Sequence, residues 1–390
     1  MNGVANLPLA GTTRVGEIAF IDLKAQQRII RERIESRLKR VLDHGKYIAG
    51  PEVEELEEAL AARTGAKGAV ACASGTAALI IPMLAQGVDV GDAVFAPSFT
   101  YNATVNAILL TGATPVFVDV DPDTFNMDPA DLERRIEVVR REGRLRPRAA
   151  IPVDLFGAPA DYPAISKIAE REGLFLLADG AQSFGARLHG RWVGDLATAT
   201  ATSFFPGKAL GAYGDAGAVF TQDESALEAW RSIRWHGTDA SRKISVCVGF
   251  NGRMDSFQAA VLLEKLAIFD EEQDARARIA AAYDARLSGA ARLQALVPGA
   301  QSGRSYYSLC APGRDAIVAM LKEMGVPTAI YYETPLHMMP AFEAFAPAGG
   351  LPVTEGLARE IFSLPMHPYL TPAQVDYICE ATLYCIDRTR

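Results

Sequence analysis

The stretch Leu174-Phe-Leu-Leu-Ala-Asp179-Gly-Ala-Gln182 is a short apolar run that ends in a carboxylate. Similar apolar runs lie on both sides of it, at 69–73, 93–96, 114–119, 148–153, 199–203 and 217–220. Segments with helical periodicity separate these runs, among them 76–86, 102–111, 129–141 and 162–172. This alternation predicts an α/β fold with a mostly parallel seven-stranded sheet and helices on both of its faces.

The rest of the 390 residues divide around this sheet. Residues 1–16 are expected to form a flexible N-terminal arm, and 17–250 a large domain whose first helices cover about 22–42 and 51–63. Residues 251–390 are expected to hold connecting helices and a small α+β domain. The charged stretch 255–290 fits one long helix or two, and the small domain is indicated by the segments 305–311, 313–325 and 371–388.

Composition excludes several classes of protein. The formal net charge of −8 and the pI near 5.3 provide no basic field for a nucleic-acid backbone. The sequence shows neither a secretory leader nor an apolar segment long enough to cross a membrane, which predicts a cytoplasmic protein without a membrane or nucleic-acid partner. The cysteines do not have the spacing of metal ligands, and they are predicted to be reduced residues that pack in the interior: Cys72, Cys247, Cys310, Cys379 and Cys385.

A lysine in a glycine-rich loop is the first candidate for chemistry. It lies in the run Ser203-Phe-Phe-Pro-Gly-Lys208-Ala-Leu-Gly-Ala-Tyr-Gly-Asp-Ala-Gly217. Most lysines are solvated surface charges, but one held this way can present its amine to an aldehyde cofactor. The glycine spacing does not match a dinucleotide fingerprint, and Ala209 stands where a nucleoside-triphosphate loop has Ser or Thr.

Two further groups strengthen the case for pyridoxal phosphate. Asp179 lies at the end of an apolar strand, where a carboxylate is costly unless a cation or several hydrogen-bond donors compensate its burial. A protonated pyridine nitrogen would be such a cation. The alternative is that Asp179 is an ordinary acidic residue of a loop. Gly75-Thr76 opens a helix directly after a strand and offers N–H groups and a hydroxyl to a phosphate, although Thr76 alone could be a simple helix cap. Ser203 could add a second hydroxyl to the same phosphate.

Two side chains complete the predicted cofactor site. Gln182 could reach the ring hydroxyl of the cofactor, and Tyr101 offers an aromatic face for stacking; a surface amide and a core aromatic are the plain alternatives. No metal is expected, because the histidines are too dispersed to form a cluster: His44, His189, His236, His337 and His367.

Taken together, these motifs resemble the DegT/DnrJ/StrS family of sugar aminotransferases, which have the fold-type I aspartate aminotransferase architecture. The resemblance runs from Ile21-Asp-Leu-Lys24 to Leu364-Pro-Met-His-Pro-Tyr369. It implies that Lys208 is the Schiff-base lysine and Asp179 the pyridine partner. It also assigns the ring oxygen contact to Gln182, the stacking face to Tyr101 and the phosphate to Gly75, Thr76 and Ser203.

The same resemblance implies that two segments reach into a neighbour's site in a homodimer. In Asn251-Gly-Arg253-Met-Asp, Asn251 would touch the phosphate and Arg253 would face substrate. The stretch Tyr331-Tyr-Glu-Thr-Pro-Leu-His337 would place Tyr331, Tyr332 and His337 on the substrate side, also across the interface. The chain departs from the family pattern in Ala178-Asp179-Gly-Ala-Gln182, where the family commonly has Glu-Asp-Ala-Ala-Gln, and at Ala209, where it commonly has Asn. Neither departure removes a group that the chemistry needs.

The expected function is transfer of an amino group from L-glutamate to a keto group of a nucleotide-linked sugar, in amino-sugar or surface-polysaccharide synthesis, including lipopolysaccharide. A UDP-linked 3-keto sugar is favoured, and a 4-keto sugar stays open. Dehydratase members of the family carry histidine in place of the lysine, so Lys208 favours transamination. The alternatives are other fold-type I chemistry, such as dehydration or β-elimination, and a non-catalytic regulatory protein that binds the cofactor.

Overall fold

The structure is a computed structural model that describes residues 16–390. The predicted N-terminal arm lies outside the described residues, except for Gly16. The helices are α1 (Leu23–His44), α2 (Pro51–Thr64), α3 (Gly75–Ala85), α4 (Ala103–Leu110), α5 (Pro129–Glu142), α6 (Tyr162–Glu172), α7 (Glu224–Arg234), α8 (Ser256–Leu266), α9 (Phe269–Leu287), α10 (Arg314–Glu323), α11 (Pro352–Glu360) and α12 (Pro372–Thr389).

The central sheet confirms the predicted strands. It consists of β1 (Gly68–Cys72), β2 (Asp92–Pro97), β3 (Thr114–Val118), β4 (Arg146–Ala150), β5 (Phe175–Asp179), β6 (Ala199–Ser203) and β7 (Gly217–Thr221). Their order is β1-β7-β6-β5-β4-β2-β3, and only β7 runs antiparallel to its neighbours. The carboxyl ends of the other six strands therefore meet at one edge of the sheet, where ligands bind in open α/β folds.

Local sequence signals explain the helix boundaries. In α6, Asp161 caps the first turn by accepting from the Ala164 N–H at 3.1 Å, and Gly173 ends the helix in the left-handed conformation with φ 67°. Helix α3 begins one residue earlier than predicted. Of the two arrangements left open for 255–290, the structure has two helices, α8 and α9, with a break between Leu266 and Phe269.

The C-terminal part contains a second, smaller sheet. Strands β8 (Arg292–Leu293), β9 (Tyr307–Cys310) and β10 (Ile361–Leu364) are antiparallel, and α10 and α12 pack together in the same core. Helix α8 packs on α1 and α2, whereas the second half of α9 contributes Tyr283 and Leu287 to the core of the small sheet. The boundary at residue 250 between two domains stays a prediction.

The cysteines are reduced, but one of them is not a packing residue. Cys72, Cys310, Cys379 and Cys385 are buried, as expected, whereas Cys247 is exposed in the loop after α7. Among residues 16–390, no helix is both long and apolar enough to cross a membrane. Within the same range, no group of three or more potential metal ligands is found.

Candidate active site

The site lies where the carboxyl ends of the parallel strands meet. Asp179 and Ser203 are the last residues of β5 and β6, and Gly75 and Tyr101 lie in the segments that follow β1 and β2. A cleft of about 540 Å³ opens at this edge, lined by Thr76, Tyr101 and residues along α4 from Ala103 to Leu110. Residues far apart in sequence are thus brought together by the order of the strands.

Asp179 is a buried carboxylate held by two donors. Its side chain is 5% exposed, and it accepts from the Thr104 hydroxyl at 2.8 Å and from the Ala181 N–H at 3.2 Å. Burial raises the pKa of Asp179, while these hydrogen bonds and the charge of Lys208 oppose the rise. The carboxylate therefore favours a cationic partner in this pocket.

Lys208 faces Asp179 from a tightly wound loop. Burial lowers the pKa of Lys208 to about 8, and the negative charge of Asp179 limits the fall. A fraction of the amine is consequently neutral near pH 7 and able to act as a nucleophile. The loop demands glycine at Gly211, because a Cβ there would lie 2.5 Å from the carbonyl oxygen of Pro206.

The start of α3 forms a cradle suited to an anion. Ser74 caps the helix by accepting from the Ala77 N–H at 3.1 Å, so Gly75 and Thr76 are its first helical residues. A Cβ on Gly75 would lie 2.6 Å from the Cβ of Ser203, so only glycine permits this close approach of the two segments. The helix N-terminus and the nearby hydroxyls provide donors of the kind that phosphate needs.

Gln182 is fixed on both of its amide atoms. Its Oε1 accepts from the Phe156 N–H at 2.7 Å, and its Nε2 donates to the Tyr332 hydroxyl at 3.1 Å. The Tyr332 ring lies 6.4 Å from that of Tyr101, and Tyr331 packs against it at 5.8 Å. Tyr332 contacts Gln182 of its own chain, whereas its expected role across a dimer interface stays a prediction.

His337 is a buried anchor in this structure. It is 5% exposed; its Nδ1 lies 2.8 Å from the Ser98 hydroxyl and its Nε2 3.2 Å from a carboxylate oxygen of Glu355. Both ring nitrogens are engaged within the chain, so the structure differs from the expectation that His337 faces substrate across an interface. The cause is the packing of this segment on the end of β2, which sequence spacing does not reveal.

Asn251 and Arg253 contact each other, and the carbonyl oxygen of Gly252 between them accepts from the Ala73 N–H at 2.9 Å, close to the start of α3. Arg253 donates from Nε to Asn251 Oδ1 at 2.8 Å, and its guanidinium lies 4.7 Å from the centre of the Trp235 ring. In the described part of the chain, neither residue hydrogen-bonds to Lys208 or Asp179. Their predicted roles therefore need a second chain and remain proposals.

Sequence reasoning missed three residues of the site. Thr104 holds Asp179, Ser74 caps α3, and the Tyr306 ring centre lies 5.8 Å from the Lys208 amine. Ser74 could have been found from its position directly before Gly75, where serine is a preferred cap. No local signal links Thr104 to Asp179 or Tyr306 to Lys208, because these contacts arise from tertiary packing.

The residues present fit pyridoxal phosphate. Lys208 provides an amine of lowered pKa, Asp179 a buried anion, and the start of α3 a cradle that a Cβ on Gly75 would fill. An aldehyde, a pyridine nitrogen and a phosphate call for these three kinds of group.

Comparison with known proteins agrees with this geometry. The family model of the DegT/DnrJ/EryC1/StrS aminotransferase family matches residues 28–383. UDP-2-acetamido-2-deoxy-3-oxo-D-glucuronate aminotransferase of Pseudomonas aeruginosa is 45% identical over 93% of this chain and 99% of its own length. A pleiotropic regulatory protein of Geobacillus stearothermophilus is 39% identical over 93% of this chain and 97% of its own length.

A solved structure gives the same result for the fold. A DegT DnrJ EryC1 StrS aminotransferase from Brucella abortus superimposes with a TM-score of 0.92 at 46% identity, covering 94% of this chain and 98% of that one. The fold-type I architecture expected from the sequence is thereby confirmed. With the family model matched over most of its length, this chain belongs to the DegT/DnrJ/EryC1/StrS aminotransferase family.

Proposed function

We propose that this protein transfers an amino group from L-glutamate to a keto group of a nucleotide-linked sugar, with pyridoxal phosphate as cofactor. The family establishes aminotransferase chemistry on nucleotide sugars and the cofactor. The observation that carries the proposal is the amine of Lys208, with its pKa lowered to about 8, facing the buried carboxylate of Asp179.

Different residues of the chain have different proposed roles in the reaction. Bound pyridoxal phosphate supplies an aldehyde and an electron-withdrawing ring. Lys208 would anchor the cofactor. Once released, its amine would take a proton from the amino-bearing carbon of the donor and, in the second half-reaction, give one to the keto carbon of the acceptor, for which a pKa of about 8 is well matched to neutral pH. Asp179 keeps the ring nitrogen protonated, and Thr104 and Ala181 orient its carboxylate. Gly75, Thr76 and Ser203 hold the phosphate.

The proposed acceptor is a UDP-linked 3-keto sugar used in surface-polysaccharide synthesis, and the proposed compartment is the cytoplasm. Support comes from the 45% identity to the Pseudomonas aeruginosa enzyme, whose name specifies a UDP-linked 3-oxo sugar acid. Dehydration is less favoured, because Lys208 is present where the dehydratases carry histidine.

The test is an amino-transfer assay with matched acceptors. UDP-linked and dTDP-linked 3-keto and 4-keto sugars are compared with L-glutamate as donor, and 2-oxoglutarate is measured. Lys208→Ala protein is the control for turnover at this site. If protein that binds the cofactor aminates none of these acceptors, the proposed substrate class is contradicted.

We further propose that the functional unit is a two-fold dimer with shared sites. The loop after α7 exposes three apolar side chains, Ile244, Val246 and Val248, at 63%, 64% and 83%. The same loop leads directly into Asn251 and Arg253. A contiguous exposed apolar segment of this kind suits an interface with another protein surface. Asn251 would then contact the phosphate, and Arg253 the substrate, of the partner's site.

Mixing two inactive variants tests this arrangement. Lys208→Ala and Arg253→Ala chains are combined and allowed to exchange subunits. Random exchange of an equal mixture makes about half of the dimers mixed, and half of their sites whole, so about a quarter of the sites regain activity. A mixture that exchanges subunits but stays inactive would show that Lys208 and Arg253 do not complement each other across chains.

A regulatory role is the second candidate, and the 39% identical pleiotropic regulatory protein is the observation that favours it. The complete set of Lys208, Asp179 and Gln182 supports turnover instead. Measurable 2-oxoglutarate formation from L-glutamate that depends on Lys208 would decide in favour of the enzyme.

A further inference from the structure

A second buried carboxylate lies beside the candidate site. Asp154 is 0% exposed; its Oδ1 accepts from the Ala160 N–H and from the Tyr162 hydroxyl, each at 2.9 Å, and its Oδ2 accepts from the Ser183 hydroxyl at 2.6 Å. Burial raises the pKa of Asp154 to about 6. No lysine or arginine among the described residues forms an ion pair with it, so these three donors alone compensate its burial.

The hydrogen bond from Ser183 connects Asp154 to the turn that carries Gln182. Ser183 directly follows Gln182, and its N–H donates to the Gly180 carbonyl oxygen at 3.1 Å, which closes the turn of residues 180–183. At the start of the same turn, the Asp154 N–H donates to the Asp179 carbonyl oxygen at 3.1 Å. The side chain and the backbone of Asp154 therefore hold both ends of the turn.

Asp154 also fixes the opposite side of Gln182. The Gly157 N–H donates to the Asp154 carbonyl oxygen at 3.2 Å, which closes the short turn that contains Phe156. It is the Phe156 N–H that donates to Gln182 Oε1 at 2.7 Å. Since this donor occupies the oxygen of the amide, the nitrogen of Gln182 is the atom directed at the Tyr332 hydroxyl.

We propose that Asp154 is a positioning residue of the cofactor site, which acts through Ser183 to hold the Gln182 amide with its nitrogen directed into the site. The inference rests on the proposed function, because the site it serves is that of the cofactor. Precise placement of a contacting side chain depends on such supporting hydrogen bonds.

The test compares two variants that each remove one hydrogen bond to the same carboxylate. Ser183→Ala removes the bond to the turn of residues 180–183, and the matched control Tyr162→Phe removes a bond that has no link to that turn. We expect Ser183→Ala to raise the dissociation constant for pyridoxal phosphate about tenfold, because a turn and a Gln182 amide that are no longer held must be ordered when the cofactor binds. Tyr162→Phe is expected to change it by less than about twofold.

A double-mutant cycle separates positioning from general loosening of the fold. If Ser183 acts through Gln182, then Ser183→Ala adds little to the loss of affinity already caused by Gln182→Ala. Hydrogen exchange of the full-length protein provides a second readout, in which Ser183→Ala speeds exchange in residues 180–183 and Tyr162→Phe does not. Should Ser183→Ala fail to fold, Ser183→Cys retains a weaker donor, and an intermediate affinity is expected.

Equal effects of Ser183→Ala and Tyr162→Phe on affinity, or fully additive losses in the cycle, would overturn the role of Asp154. Failure of the wild-type protein to bind pyridoxal phosphate would instead overturn the proposed function, so the two failures are distinguishable.

Discussion

Replacing Thr104 by valine tests whether the buried Asp179 is ionised and held by its neighbours. Valine keeps the shape of threonine but removes the hydroxyl that donates to Asp179 Oδ2 at 2.8 Å. That bond is one of two hydrogen bonds to a carboxylate that is 5% exposed. A hydrogen bond to a charged group contributes about 1.5–3 kcal/mol, so this is the expected loss in the free energy of unfolding when Asp179 is ionised.

The expected destabilisation by Thr104→Val depends on pH, and the pKa of Asp179 determines whether it grows or shrinks as the pH falls. Burial raises this pKa, and the Thr104 hydroxyl is the largest influence that lowers it. Without the hydroxyl, the pKa rises further. The bond therefore contributes stability above the pKa of Asp179, and the contribution is lost as the pH falls through that pKa and the carboxylate takes up a proton.

The assay is urea unfolding of the full-length protein without added cofactor, from about pH 8 down to the acid limit of folding. Thr104→Ser is the matched control, because it keeps the hydroxyl and loses only a methyl group. A destabilisation by Thr104→Val that stays constant with pH, or that equals the effect of Thr104→Ser at every pH, would refute the reasoning.

Four further predictions concern the cofactor. Lys208→Ala protein should fold but retain no cofactor after borohydride reduction, because only a side-chain amine forms the reducible link; retention would assign the link to another lysine. The rate of cofactor attachment to wild-type protein should fall as the pH drops below about 8, since protonation of Lys208 removes the nucleophile; a rate independent of pH would contradict this assignment. Asp179→Asn should still bind the cofactor but slow amino transfer at least about a hundredfold in single-turnover kinetics, because a neutral amide does not hold the ring nitrogen protonated; near-normal rates would remove Asp179 from this role. Gly75→Ala should weaken cofactor binding at least about tenfold in equilibrium titrations, because its Cβ would lie 2.6 Å from that of Ser203, and unchanged affinity would argue against the cradle.

The amino-acid sequence by itself determined the fold and the groups that carry the chemistry. Most of the sheet strands are short, largely apolar runs bounded by turn or helix signals, and alternation of such runs with helical segments leaves few arrangements other than a parallel sheet covered by helices. Lys208, Asp179 and Gly75-Thr76 stand out for a similar reason. A lysine in a glycine-rich loop and an acid at the end of an apolar strand are costly without a function.

Only the tertiary structure decided how these groups are held within the chain. The contact of Thr104 with Asp179 spans 75 residues, and that of Gln182 with Tyr332 spans 150. Neither contact can be recognised from a local pattern in the sequence, because the order of the strands in the sheet brings these residues together. Packing likewise turned His337 into a buried anchor and left Cys247 exposed. Periodicity encodes which face of an element is apolar, whereas the identity of the neighbour across a loop follows from the folded arrangement alone.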